Sequence, residues 1–234
     1  MSAILIFLVA VFAIAGWWLL KQGVMNKPWL ESGPETVPVE TTPHHERKIH
    51  VGLGVFLGVV GALFALTVSG FFMRMEYPDW QTMPLPPVVW VNTALLVMGS
   101  LSLHLALLAT DRQDEATVKI GLVSAGFAAF GFLLGQAMAW RQLSGSGYAL
   151  TNNPANSFFY MITAIHALHI LGGLFAWGRT TIAAFNGVDL VKLHDRISLC
   201  ATYWHFLLFV WFVLLMVLVG WAKDIFVLCT RLLS

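Results

Sequence analysis

Charge is what this chain has least of. Asp, Glu, Lys and Arg make up 11% of its 234 residues, against about a quarter in an ordinary soluble domain. None of them lies near the middle of any long apolar run. Pumps, channels and ion-coupled transporters usually keep an ionisable group at mid-membrane, where they must carry or compensate charge. That shortage argues against a pump or transporter acting by itself. A formal net charge of +1, from 13 basic and 12 acidic residues, leaves no basic surplus for a nucleic-acid partner. Cysteine is nearly absent too. Cys200 and Cys229 have no paired spacing, so they read as small apolar residues rather than a metal site or a disulfide framework.

What is present is hydrocarbon: 58% of the residues are hydrophobic. A spanning helix needs about 20 apolar residues, and six segments qualify: Ala3–Leu20, Val51–Met73, Pro87–Ala109, Val118–Trp140, Ser157–Trp177 and Ser198–Trp221. The expectation is an all-α polytopic membrane bundle. It comprises an N-terminal transmembrane helix over 1–20, a Pro-rich linker over 21–50, a five-helix membrane domain over 51–221 and a short tail over 222–234. The first segment has no basic n-region, and no A-x-A pattern follows it, so it reads as a retained helix rather than a signal peptide. In the linker, Pro28, Pro34, Pro38 and Pro43 argue for extended chain. Its His44 and His45 read as a solvated patch rather than metal ligands. Counting Lys and Arg on alternate sides gives nine against four. By the positive-inside rule the nine face the cytoplasm and both termini lie on the outer side.

The polar side chains inside the spans are few. The segment 158–177 carries His166 and His169 three residues apart, then Gly172 and Gly173. On a helix, His166, His169 and Gly173 share one side. Neutral imidazole has a donor and an acceptor that lipid cannot satisfy, so this stripe is expected to face protein, with glycine admitting a close neighbour. Gln136, Asn92 and His205 complete the polar set. The reading adopted is a hydrogen-bonded clasp between helices, with His205 as the expected partner of the paired histidines. The sharper alternative is a b-haem electron carrier ligated by His166 or His169 opposite His205. His104, toward the end of its span, reads as a solvated or interfacial group. Gly54 and Gly58 have small-xxx-small spacing and are expected to pack on a neighbouring helix. Trp140, Trp177 and Trp204 read as an aromatic belt, with Arg141 snorkelling beside Trp140.

Several ordered pieces resemble subunit III of the haem–copper terminal oxidases. Tyr203-Trp204-His205-Phe206 followed by Val210-Trp211 is similar to the family's YWHF…VW segment. Asn156-Ser157-Phe158-Phe159, then Ile165-His166-Ala167-Leu168-His169 and Gly172-Gly173, resembles its N-x-FF…HGxHV…GG pattern. Trp90-Val91-Asn92-Thr93 after a proline-rich loop, and Gly135-Gln136 before Trp140, match further pieces. The likeness runs from about Ile49 to Gly220.

The resemblance implies a non-catalytic subunit that packs against subunit I, holds phospholipids in a cleft and supports proton uptake and turnover. Haem and copper would reside in the partner subunits I and II, with no cofactor or metal on this chain. Two departures stand out. Val59 and Leu208 occupy positions where family members commonly carry buried carboxylates, so a carboxylate-linked proton role does not transfer. The membrane expected is the cell inner (cytoplasmic) membrane. An accessory protein of a nitric oxide reductase or a quinol oxidase is the neighbouring alternative.

Overall fold

The computed structural model describes residues 43–81 and 83–220. Five helices follow in order: α1 (Pro43–Met75), α2 (Val88–Asp111), α3 (Glu115–Gly145), α4 (Pro154–Phe185) and α5 (Leu190–Val219). Each is long and apolar enough to cross a bilayer. The expected sixth span, Ala3–Leu20, and the 222–234 tail lie outside the described residues.

α3, α4 and α5 begin where side chains can take up free backbone N–H groups. Asp114 accepts from the Thr117 N–H at 3.2 Å, and Asp189 accepts from the Val191 N–H at 3.3 Å. Asn153 caps α4 through the Ala155 N–H at 3.1 Å, with Pro154 immediately inside the helix. These are the residue types and positions that orphan N–H groups favour. Asn153 also donates to the Gln81 carbonyl at 2.6 Å, tying the start of α4 to the proline-rich loop after α1. At its far end α5 stops on Gly220, whose φ of +88° needs the freedom that glycine has.

Asp114 yields a first prediction. Its hydrogen bonds from Thr117 hold the carboxyl below the ordinary range. A folded-state pKa that is lowered stabilises above the unfolded value, near pH 3.9, and that stabilisation is lost as pH falls through the folded value. The protection of the Thr117 amide relative to its intrinsic exchange rate is therefore expected to fall below about pH 4 in the wild type. In Asp114→Ala that protection should already be low at neutral pH. Equal protection in the two proteins at pH 7 would sink the idea.

α2, α3, α4 and α5 form a ring in which each packs on the next, and α5 closes on α2. Consecutive helices are joined by short turns, so neighbours run antiparallel. Phe132, Leu96, Leu103, Ile170, Trp204, Leu207 and Trp211 fill the centre, all at most 1% exposed. α1 stands outside the ring, on α5 and α4. Only 11% of its apolar window is buried, against 39% to 44% for the others.

Several expected boundaries are corrected. The first described helix starts at Pro43 rather than Val51, so residues 43–50 are helical and not extended linker. Proline is well tolerated at a helix start. α4 continues past Trp177 to Phe185, and α5 begins at Leu190, ahead of Ser198. The hydropathy signal fades at Arg179, Lys192 and Arg196, but the buried positions do not: Thr180, Ala183 and Ala184 continue the α4 face, and Leu190, Leu193 and Ile197 open that of α5. Both helices therefore extend as amphipathic segments, polar on one side only.

Candidate functional site

The polar side chains of the bundle fall into two groups that do not meet. His166 is fully buried at the centre of the ring. Its imidazole lies 5.1 Å from the Trp211 ring, 5.7 Å from Phe132 and 6.1 Å from Phe64. One turn on, His169 stacks against Phe64 at 5.3 Å and donates its Nδ1–H to the Ile165 carbonyl of its own helix at 2.8 Å. The stripe thus faces protein, and Phe64 brings α1 onto it.

His205 belongs to the other group. It bonds through Nδ1 to the hydroxyl of Ser100 on α2, and its ring lies 5.7 Å from His104. No hydrogen bond joins it to His166 or His169 among the described residues. The expectation of a His205 clasp to the paired histidines is therefore corrected, because His205 points away from the ring interior. The same divergence removes the geometry a two-histidine haem would need. Among the described residues no three His, Cys, Asp or Glu side chains gather as metal ligands.

His166, Asn92 and Gln136 are buried but make no hydrogen bond to described protein groups, so the clasp expected of them is corrected. The Asn92 carboxamide is seated directly on Gly135, in space that any Cβ would claim. The clasps that do form were not anticipated, because they use tryptophan. Trp211 on α5 donates its indole N–H to Thr93 on α2 at 2.9 Å. Trp140 on α3 donates to Thr163 on α4 at 3.0 Å. Trp177 on α4 donates to the Leu122 carbonyl on α3 at 2.9 Å. Both threonines first donate to carbonyls four residues back, Val89 and Phe159, leaving an oxygen lone pair for the indole. At the ring's edge, His194 bonds to Thr110 at 2.8 Å.

Trp204 is only 1% exposed, so its expected place in an interfacial belt is corrected. It fills space that Gly99 and Gly173 leave open. Trp140 and Trp177 are half-buried and tied to neighbouring helices, whereas Arg141 is exposed. The glycines divide in the same way. Gly54, Gly58 and Gly172 have nothing within 4 Å of where a Cβ would stand. α1 meets the ring through Val60, Phe64 and Phe71, which leaves Gly54 and Gly58 well round the helix from that face. The close approaches are instead at Gly121, Gly126, Gly135 and Gly173. At Gly126 the covering group is the Trp177 indole.

Between α1, α4 and α5 runs an apolar groove of about 260 Å³, lined by Leu53, Phe56, Gly172, Ala176, Leu199 and Tyr203 among others. Tyr203 turns its hydroxyl away, donating to the His169 carbonyl at 2.9 Å. The groove is almost wholly apolar and can accommodate alkyl chain.

Residues 47–223 match the family model described as cytochrome c oxidase subunit III. The cytochrome c oxidase subunit 3 of Thermostichus vulcanus is 28% identical over 191 residues, covering 79% of this chain and 93% of that protein. A heme-copper oxidase subunit I+III of Aeropyrum pernix is 28% identical over 188 residues, 74% of this chain but 23% of that protein. The probable cytochrome c oxidase subunit 3 of Mycobacterium tuberculosis (strain H37Rv) is 28% identical over 130 residues, 54% of this chain. The match spans 62% of that mycobacterial protein's length. Five membrane-length helices in one apolar domain, matched by the family model over nearly all of their length, show that the chain belongs to the cytochrome c oxidase subunit III family.

Proposed function

We propose that this chain is the non-catalytic subunit III of a respiratory haem–copper oxidase complex. The observation that carries the proposal is the family match over the whole five-helix domain. The inward polar groups agree with it: His166 and His169 are enclosed by aromatic rings and backbone. The chain stabilises subunit I, with subunit II in the same assembly. Haem and copper reside in those partners, which reduce oxygen to water and move protons. The α1/α4/α5 groove holds phospholipid acyl chains. The complex sits in the cell's inner membrane. In this reading the linker and the α2–α3 and α4–α5 turns, which carry the basic excess, face the cytoplasm and both termini lie outside.

The test is purification through a tag on this chain in mild detergent. A large haem-bearing polypeptide is expected to co-elute with it, and the chain stripped of partners is expected to be colourless. His166→Leu should leave the haem spectrum of the complex unchanged. A haem band that stays with the isolated chain and disappears in His166→Leu would overturn the reading. So would co-elution with a nitric oxide reductase and no oxygen-reducing enzyme.

A further inference from the structure

The outward side of α5 between α1 and α2 differs from the other lipid-facing surfaces of the ring. Its stripe is Thr202, His205, Phe209 and Phe212, all exposed. α2 adds His104, flanked by Leu101 and Leu108 at 57% and 41% exposure. Two exposed imidazoles thus lie side by side in an apolar field. Ser100 and His205 are each about midway along their helices, so His205 sits deep in the bilayer rather than at its surface. By contrast, the outer stripe of α3, Ile120, Phe127, Phe130, Leu134 and Met138, is apolar throughout. That stripe suits lipid.

The hydrogen bond at Ser100 fixes what His205 offers outward. Ser100 is 2% exposed, and its hydroxyl bonds only to His205 among the described residues. If Nδ1–H donated to the oxygen, the serine proton would be buried without an acceptor. If the hydroxyl donates to Nδ1, both groups are satisfied and the imidazole proton sits on Nε2. Nε2 is the distal nitrogen of a ring whose near edge is held inward. A donor N–H therefore leaves the bundle at mid-membrane depth, and no hydrogen bond to His104 takes it up. Lipid tails have no acceptor for it, and membrane helices bury such groups against protein.

We infer that this α2/α5 face is covered in the complex by an apolar transmembrane helix of the large haem–copper subunit, which presents a hydrogen-bond acceptor to His205 Nε2. The inference rests on the function proposed above. The Aeropyrum pernix relative, which carries the names of subunits I and III in one chain, makes the large subunit the natural occupant. The apolar field around the imidazoles gives the partner helix its packing surface, and the histidine gives it register.

The experiment uses the intact complex with a photo-crosslinking amino acid at position 101 or 209, and at position 127 as a comparison. Links from 101 and 209 to the large subunit, and none from 127, are the expected result. Lipid adducts alone at 101 and 209, or links to the large subunit from 127 only, would overturn the assigned face while leaving the proposed function intact. A preparation in which no large haem subunit co-purifies would overturn both. Substitution gives a second readout. His205→Leu is expected to lower the large subunit retained through a detergent wash at least tenfold. His205→Gln, which keeps an N–H donor near the Nε2 position, is expected to restore most of it. Unchanged retention in His205→Leu, or equal loss in both variants, would overturn the inference.

Discussion

Trp211→Ala is expected to cost the folded chain about 3 kcal/mol, the low end of the range for removing a buried tryptophan. The indole is 1% exposed and touches three other helices at once. Its ring meets Phe132 of α3 edge-on at 5.0 Å and His166 of α4 at 5.1 Å, and its N–H reaches Thr93 of α2. In a soluble core part of the loss would come from returning apolar surface to water. Here the unfolded reference is itself in lipid, so that part falls away and the cavity term dominates. Trp211→Phe separates the two remaining contributions. It keeps most of the ring contact and gives up the hydrogen bond, worth about 0.6 kcal/mol on average between membrane helices. Thr93 is not stranded by the change, since its hydroxyl still donates to Val89. Unfolding titrations in mixed detergent micelles would therefore rank Trp211→Ala far below Trp211→Phe. Equal losses would mean that the hydrogen bond, and not the packing, holds this level of the ring.

That ranking bears on what could be read before the fold was known. The five described spans, the protein-facing His166–His169 stripe and the family likeness all came from local signals: hydropathy, helical spacing and short ordered motifs. His205's neighbour did not. Spacing shows which residues share a face of one helix but carries no information about which helix that face meets. His205 and His166 lie on consecutive helices, and pairing them was reasonable, yet α5 also closes the ring on α2 and turns His205 that way. The tryptophan–threonine clasps were hidden for a related reason. A tryptophan near the end of an apolar run fits a membrane-interface belt as well as it fits a neighbour's hydroxyl, and only the position of the partner decides. Helix ends were missed at Phe185 and Leu190 because charge lowers hydropathy even where one face remains buried.

The glycines give a sharp test. Gly172 and Gly173 are adjacent in one motif, but helical spacing puts only Gly173 on the His166–His169 side. In the structure a Cβ on Gly173 would stand 2.7 Å from both the Trp204 and the Tyr203 ring, whereas one on Gly172 would meet nothing within 4 Å. Neither ring can readily give way. Trp204 is enclosed on its other side by Gly99, and Tyr203 is held by its hydrogen bond to the His169 carbonyl. Gly173→Ala is therefore expected to cost roughly 1–3 kcal/mol by overpacking. Gly172→Ala is expected to be neutral or slightly stabilising, because alanine is the better helix former. The Gly173 variant also pushes on Tyr203 and Trp204, which line the α1/α4/α5 groove, so it should retain less phospholipid after a detergent wash. Thermal unfolding and lipid analysis of the two purified variants would check both effects. If Gly172→Ala were as damaging as Gly173→Ala, the α4–α5 contact would not be organised around Gly173, and the account of how Trp204 came to be buried would have to be abandoned.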